Sequence, residues 1–107
     1  MKKIDVSNYE VDAVNKEGKK IKVPYSVRES LEMLMFHPGL NLSSLDLVKH
    51  NKIMVKIEDC KDDTVLLEES EYEAVKRAIE TVKGYNRNDI RFIDRVINAE
   101  TVEVKEA

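Results

Sequence analysis

The stretch Leu66–Gly84, LLEESEYEAVKRAIETVKG, decides the reading of this chain, because it is the best-marked helix and the place where the charge changes sign. Ser70 followed by Glu73 has capping-box spacing: the Ser70 hydroxyl takes the Glu73 amide proton, and the Glu73 carboxylate reaches back to the Ser70 amide. This predicts a helix beginning near Ser70. Tyr72, Val75, Ile79 and Val82 recur at helical spacing and mark one buried face, with Ala74 and Ala78 small enough to let a neighbouring element approach closely. Glu69, Glu71 and Glu73 at the amino end and Lys83 at the carboxyl end suit the macrodipole, and Gly84 supplies a left-handed residue to end the helix.

Around this helix there is room for one modest core. The chain has 107 residues, with 42% hydrophobic and 36% charged side chains and only 3 Gly and 2 Pro, so it reads as a single well-ordered domain, 1–107, without linkers. No apolar run approaches the roughly 18 residues that span a bilayer, and the opening MKKIDVSNYE has no signal-peptide core. A soluble, cytoplasmic protein with no membrane partner is expected. The one cysteine, Cys60, cannot form an internal disulfide and fits a reducing compartment.

Before the central helix, Ile4, Val6, Tyr9, Val11 and Ala13 nearly alternate, with a phase change at Ser7 and Asn8 that suits a bulged strand. Asn15–Lys19 reads as a turn, and Ile21, Val23 and Tyr25 alternate with Lys20 and Lys22, completing a hairpin. Pro24 makes its second strand an edge. Ser26 with Glu29, and Ser43 with Asp46, repeat the capping-box spacing and open two further helices. The first is stopped by Pro38–Gly39; the second is polar enough around Asn51 to break there. Val65–Leu67 is either a brief strand or an extended segment crossing the core. Beyond Gly84, Asn88 suits a helix cap, Ile90, Ile93, Val96 and Ile97 suit a buried face, and Thr101–Lys105 alternates like a strand. The expected fold is α+β: a small antiparallel sheet, built from the amino-terminal hairpin plus the carboxyl-terminal strand, packed with about four helices.

Chemistry is sparse in this sequence. His37 and His50 are the only histidines. A Cys60–His50 dyad is disfavoured, because Glu58, Asp59, Asp62 and Asp63 around Cys60 would suppress its thiolate. His37 suits capping of the last carbonyls of its helix. The acidic segment lacks the calcium-loop pattern, Thr64 and Ser70 standing where that pattern needs Gly and Glu. Nor is there a phosphate-binding glycine loop. Neither catalysis nor a cofactor is expected.

Three binding readings follow. The leading one is a non-enzymatic protein–protein interaction or assembly module that self-associates. Its candidate surface is the helix that is apolar almost all round, with Met33, Met35 and Phe36, and the Leu40 that follows. Its candidate polar contact is the segment 58–73, which holds eight of the 21 carboxylates; Asp59, Asp62, Asp63 and Glu69 there can meet the basic excess of the first 28 residues, within the fold or between copies. The second reading is a nucleic-acid-binding regulator using Lys16, Lys19, Lys20 and Lys22 of the hairpin. The net charge of −3 and the lack of interleaved aromatics oppose it. The third is a small-molecule or cation binder beside Glu58–Glu73. A short Lys-, Glu- and Ile-rich chain without catalytic residues also has the character of an accessory protein from a phage or other mobile element.

Overall fold

Where the alternation changes phase, the chain turns a corner. The computed structural model describes residues 1–103, and in it the expected single bulged strand is two strands, β1 (Lys2–Asp5) and β2 (Tyr9–Val14), in separate sheets. The corner is held by polar groups. Asp5 Oδ1 accepts from the Ser7 amide at 2.9 Å, Arg95 donates to the Ser7 carbonyl at 2.7 Å, and the Val6 amide donates to the Asp63 carbonyl at 2.7 Å. The Val6 side chain drops into the core. Local side-chain hydrogen bonds of this kind offer the backbone an alternative to a continuous ladder.

The sheet arrangement therefore differs in detail from the single sheet expected. Strand β1 is the centre of a three-stranded antiparallel sheet, between β4 (Thr64–Leu67) and β5 (Glu100–Thr101), with Ile4 opposite Val65 and Lys2 opposite both Leu67 and Thr101. Val65–Leu67 is thus a strand, and the carboxyl-terminal strand pairs with β1 rather than with the hairpin. Part of the expected run 101–105 lies outside the described residues. The hairpin is a separate two-stranded ribbon of β2 and β3 (Lys20–Tyr25), in which Tyr9 faces Tyr25, Val11 faces Val23 and Ala13 faces Ile21. Its loop closes on Asn15, whose Oδ1 accepts from the amides of Glu17 and Lys19, and Gly18 takes φ +79°. A side chain at Gly18 would be strained there.

Two helix starts obey the capping spacing. Ser26 Oγ accepts from the Glu29 amide at the head of α1 (Val27–Met35), and Ser43 Oγ accepts from the Asp46 amide at the head of α2 (Ser44–Asp59). Helix α2 runs through Asn51 without a break. Helix α3 (Glu69–Thr81) begins before Ser70: Glu68 is its cap, and Glu71 Oε1 accepts from the Glu68 amide at 2.9 Å. The reason is the strand before it. Leu67 is the last residue paired in β4, so Glu68 is the first one free to cap. At the far end Val82 is already extended, and Gly84, at φ +96°, bends the connection beyond the helix.

Helix α4 (Ile90–Ile97) is preceded by a 3-10 turn, Arg87–Asp89, capped by Asn86 rather than Asn88. Its buried residues are Phe92 and Val96; Ile90 and Ile97 are exposed. The i, i+4 pair with the larger apolar area faces inward, and the isoleucines flank it. Phe92 belongs to one buried cluster that includes Ile4, Leu31, Met35, Ile57, Leu67 and Val75. Phe92→Ala is expected to lower the unfolding free energy by about 3–5 kcal/mol, and Ile90→Ala to change it by no more than about 0.5 kcal/mol. Urea unfolding of the two variants checks this.

Candidate functional site

Helix α1 is not the exposed apolar surface that its composition suggests. Leu31, Leu34 and Met35 are buried, and Phe36 and Leu40 pack against the core from half-buried positions. Of the residues expected at an interface here, Met33 alone stands out, 75% exposed. The cause is that α1 packs against both α2 and α3, so both of its sides find apolar partners. Met35 in particular spends its side chain inside the fold.

The uncovered apolar surface is on α2. His50, Ile53, Met54 and Ile57 form its buried side. On the opposite side lie Leu45, Val48 and Val55, 63%, 53% and 44% exposed, with Leu47 exposed at the flank. An ordinary surface helix has one apolar stripe; this one has two, back to back. That is why its apolar residues look poorly phased in the sequence.

The carboxyl end of α2 runs into the acidic turn, which Arg28 holds. The Arg28 guanidinium donates to the carbonyls of Ile57 and Asp62, the latter at 2.7 Å, capping the helix and pinning the turn. Asp59, Asp62, Asp63 and Glu69 are all exposed. They do not converge: among the described residues no three His, Cys, Asp or Glu side chains are grouped to hold a metal ion. Glu71 is the carboxylate of this segment drawn into an ion pair, with Lys56 Nζ at 2.8 Å. Arg28 carries no sequence signal for this role, since its two carbonyl partners lie 29 and 34 residues away.

The two histidines and the cysteine each meet a backbone group. His50 Nδ1 lies 2.7 Å from the Met35 carbonyl, and Cys60 Sγ lies 3.2 Å from the Thr64 carbonyl. His37 does not meet the last carbonyls of α1; its Nδ1 accepts from the Gly39 amide at 2.9 Å and so caps the 3-10 turn Pro38–Leu40 that follows.

The hairpin presents two faces. Glu10, Asp12 and Val14 share one with Lys20, Lys22 and Pro24, and Asp12 pairs with Lys22 at 2.6 Å. Lys16 and Lys19 are exposed in the loop beside Glu17. The four lysines are thus divided between a loop and a charge-balanced ribbon face. The other face is apolar, and its base is anchored on α4. Tyr9 and Tyr25 stack with centroids 4.6 Å apart, and Arg91 and Arg95 lie over the Tyr9 ring at 4.5 and 5.0 Å. The Tyr9 hydroxyl donates to the Asn88 carbonyl and accepts from the Phe92 amide, and the Tyr25 hydroxyl donates to Asp89.

No protein-family model matches this chain, and no curated protein or solved structure is significantly similar to it. Among the described residues no helix is long and apolar enough to cross a membrane.

Burial and the Asp89 carboxylate together push the Tyr25 hydroxyl well above the ordinary tyrosine range. The unfolded chain ionises this phenol near pH 10 while the folded chain resists, so its contribution to stability is complete below that pH and is lost as pH rises further. Tyr25→Phe is expected to be less stable than the parent at pH 7 by about 1 kcal/mol. The gap narrows above pH 10, as measured by urea unfolding across that range.

Proposed function

We propose that this protein is a non-enzymatic interaction module that self-associates through the outward side of α2. One observation carries the reading: the Leu45, Val48 and Val55 row, directly opposite the buried row of the same 16-residue helix. A helix of that length spans about 24 Å, and a second copy laid antiparallel offers the same length of apolar surface in return, as two-fold symmetry requires. Burying such residues is worth about 1.5–3 kcal/mol each for full removal from water.

Charge supports a copy as the partner. Asp59, Asp62 and Asp63 at one end, and Lys16, Lys19 and Lys20 on the hairpin, make no ion pair within the described residues. Their attraction is available between molecules. The nucleic-acid reading is weaker, because Lys22 is neutralised by Asp12 and the remaining lysines do not share one face.

Light scattering after size exclusion is expected to give about twice the 12.4 kDa chain mass, and Val48→Asp with Val55→Asp to return it to one chain mass without loss of helical signal. Both positions are exposed, so the variant tests association and not folding. A strictly monomeric parent would remove self-association and leave a foreign partner.

A further inference from the structure

Helices α2 and α3 do not close on each other. The α3 residues turned toward α2 are Ala74 and Ala78, too short to fill the space, and a groove of about 560 Å³ opens between the helices. That volume lies within the range of small-ligand sites. Ile53 and Leu42 complete an apolar floor with the two alanines, and Lys49, Lys52 and Arg77 stand around it. Small residues expected to let a neighbour in close thus face an open groove.

His50 is the polar group at the floor. It is only 8% exposed and lines the groove. Its Nδ1 sits 2.7 Å from the Met35 carbonyl, and a carbonyl can only accept, so Nδ1 carries the proton and the tautomer is set. The other nitrogen, Nε2, has no hydrogen-bond partner among the described residues. No fully buried side-chain nitrogen or oxygen lacks a partner among the described residues, so Nε2 keeps some contact with solvent. A residue more than nine-tenths buried that lines the groove thus keeps one free polar atom. It is an acceptor while the ring is neutral and a donor once protonated.

The charges around it favour one sign. Lys49, Lys52 and Arg77 make no ion pair among the described residues. Of the two carboxylates lining the groove, Glu71 is held by Lys56 and by the Glu68 amide, which leaves Asp46 against three free cations. We propose that this groove binds a small organic anion, a carboxylate or phosphate monoester on a short apolar body. The body lies on Ile53, Ala74 and Ala78, and the anionic end meets Arg77, the lysines and His50 Nε2. Arg77 supplies a fork that suits either anion. Lys49, His50 and Ile53 lie on the flank of α2 toward α3, and Lys52 stands where that flank meets the Leu45, Val48 and Val55 row, being four residues after Val48 and three before Val55.

The test is an NMR titration of the full chain with octanoate, with hexyl phosphate and with neutral octanol. Either or both anions are expected to give saturable shifts at the His50 ring and at the Ala74 and Ala78 amides, and the one that binds identifies the head group; octanol binds roughly tenfold more weakly or not at all. Lys52→Glu with Arg77→Glu, both at exposed positions, weakens anion binding by roughly tenfold or more while leaving the unfolding midpoint in place. Val48→Ser with Val55→Ser, which adds no charge beside Lys52, binds the anion as the parent does. Absence of saturable shifts with both anions overturns the proposal. So does octanol binding as tightly as the anions, or an affinity unchanged by the charge reversal.

Discussion

The corner at Asp5–Ser7, clamped by Arg95, is the constraint on which the arrangement of this molecule depends. One guanidinium donates to the Ser7 carbonyl, lies 3.6 Å from the Asp5 carboxylate and sits over the Tyr9 ring. Burial opposes ionisation of Asp5, but its hydrogen bonds from Ser7 and the charges of Arg95 and Arg91 outweigh this and hold its carboxyl below the ordinary range. The effect is to send β1 into the core sheet and β2 out into the ribbon. Without the clamp Ile4–Ala13 would suit a single strand bulged at Ser7 and Asn8, where the apolar residues change phase.

From that corner the first and last described strands are brought together. Strand β5 pairs with β1, and the Met1 and Val102 backbones exchange hydrogen bonds at 2.8 and 3.1 Å. Helix α4 is thereby placed to receive the base of the hairpin. A bare two-stranded ribbon is marginal in water, and what steadies this one is aromatic and polar contact at its base, from Tyr9, Tyr25, Phe92 and Asp89. Its outer half, with Ile21 and Val14 exposed, has no such support.

Helix α2 illustrates how packing divides one sequence pattern into separate surfaces. Its inner side joins the core, its outer side carries an uncovered apolar row, and its flank toward α3 forms a groove with a histidine at the floor. The three surfaces differ in charge as well as shape, since the acidic turn lies at one end and the free cations of the groove on one flank. One helix thereby presents chemically distinct faces.

Much of the local structure was legible. Ser26 and Ser43 cap their helices as their spacing demands, Asn15–Lys19 forms the hairpin loop, and the α+β composition of the fold follows from hydrophobic period alone, because each depends on residues a few positions apart. Long-range choices were not legible. Which strand pairs with β1, that Glu68 rather than Ser70 starts α3, and that Phe92 rather than Ile90 faces inward all depend on contacts tens of residues away. The candidate surfaces fall in the second class. Met35 and Val48 are both apolar residues on helices, and only the packing of α1 between α2 and α3 buries the first and leaves the second in water; likewise His50 became a groove residue only when two alanines on α3 left space before it. By itself the sequence determined elements, turns and charge distribution, which are set by local backbone chemistry. Tertiary structure decided which faces were covered and which remained open, because burial is a property of neighbours that the chain order does not contain.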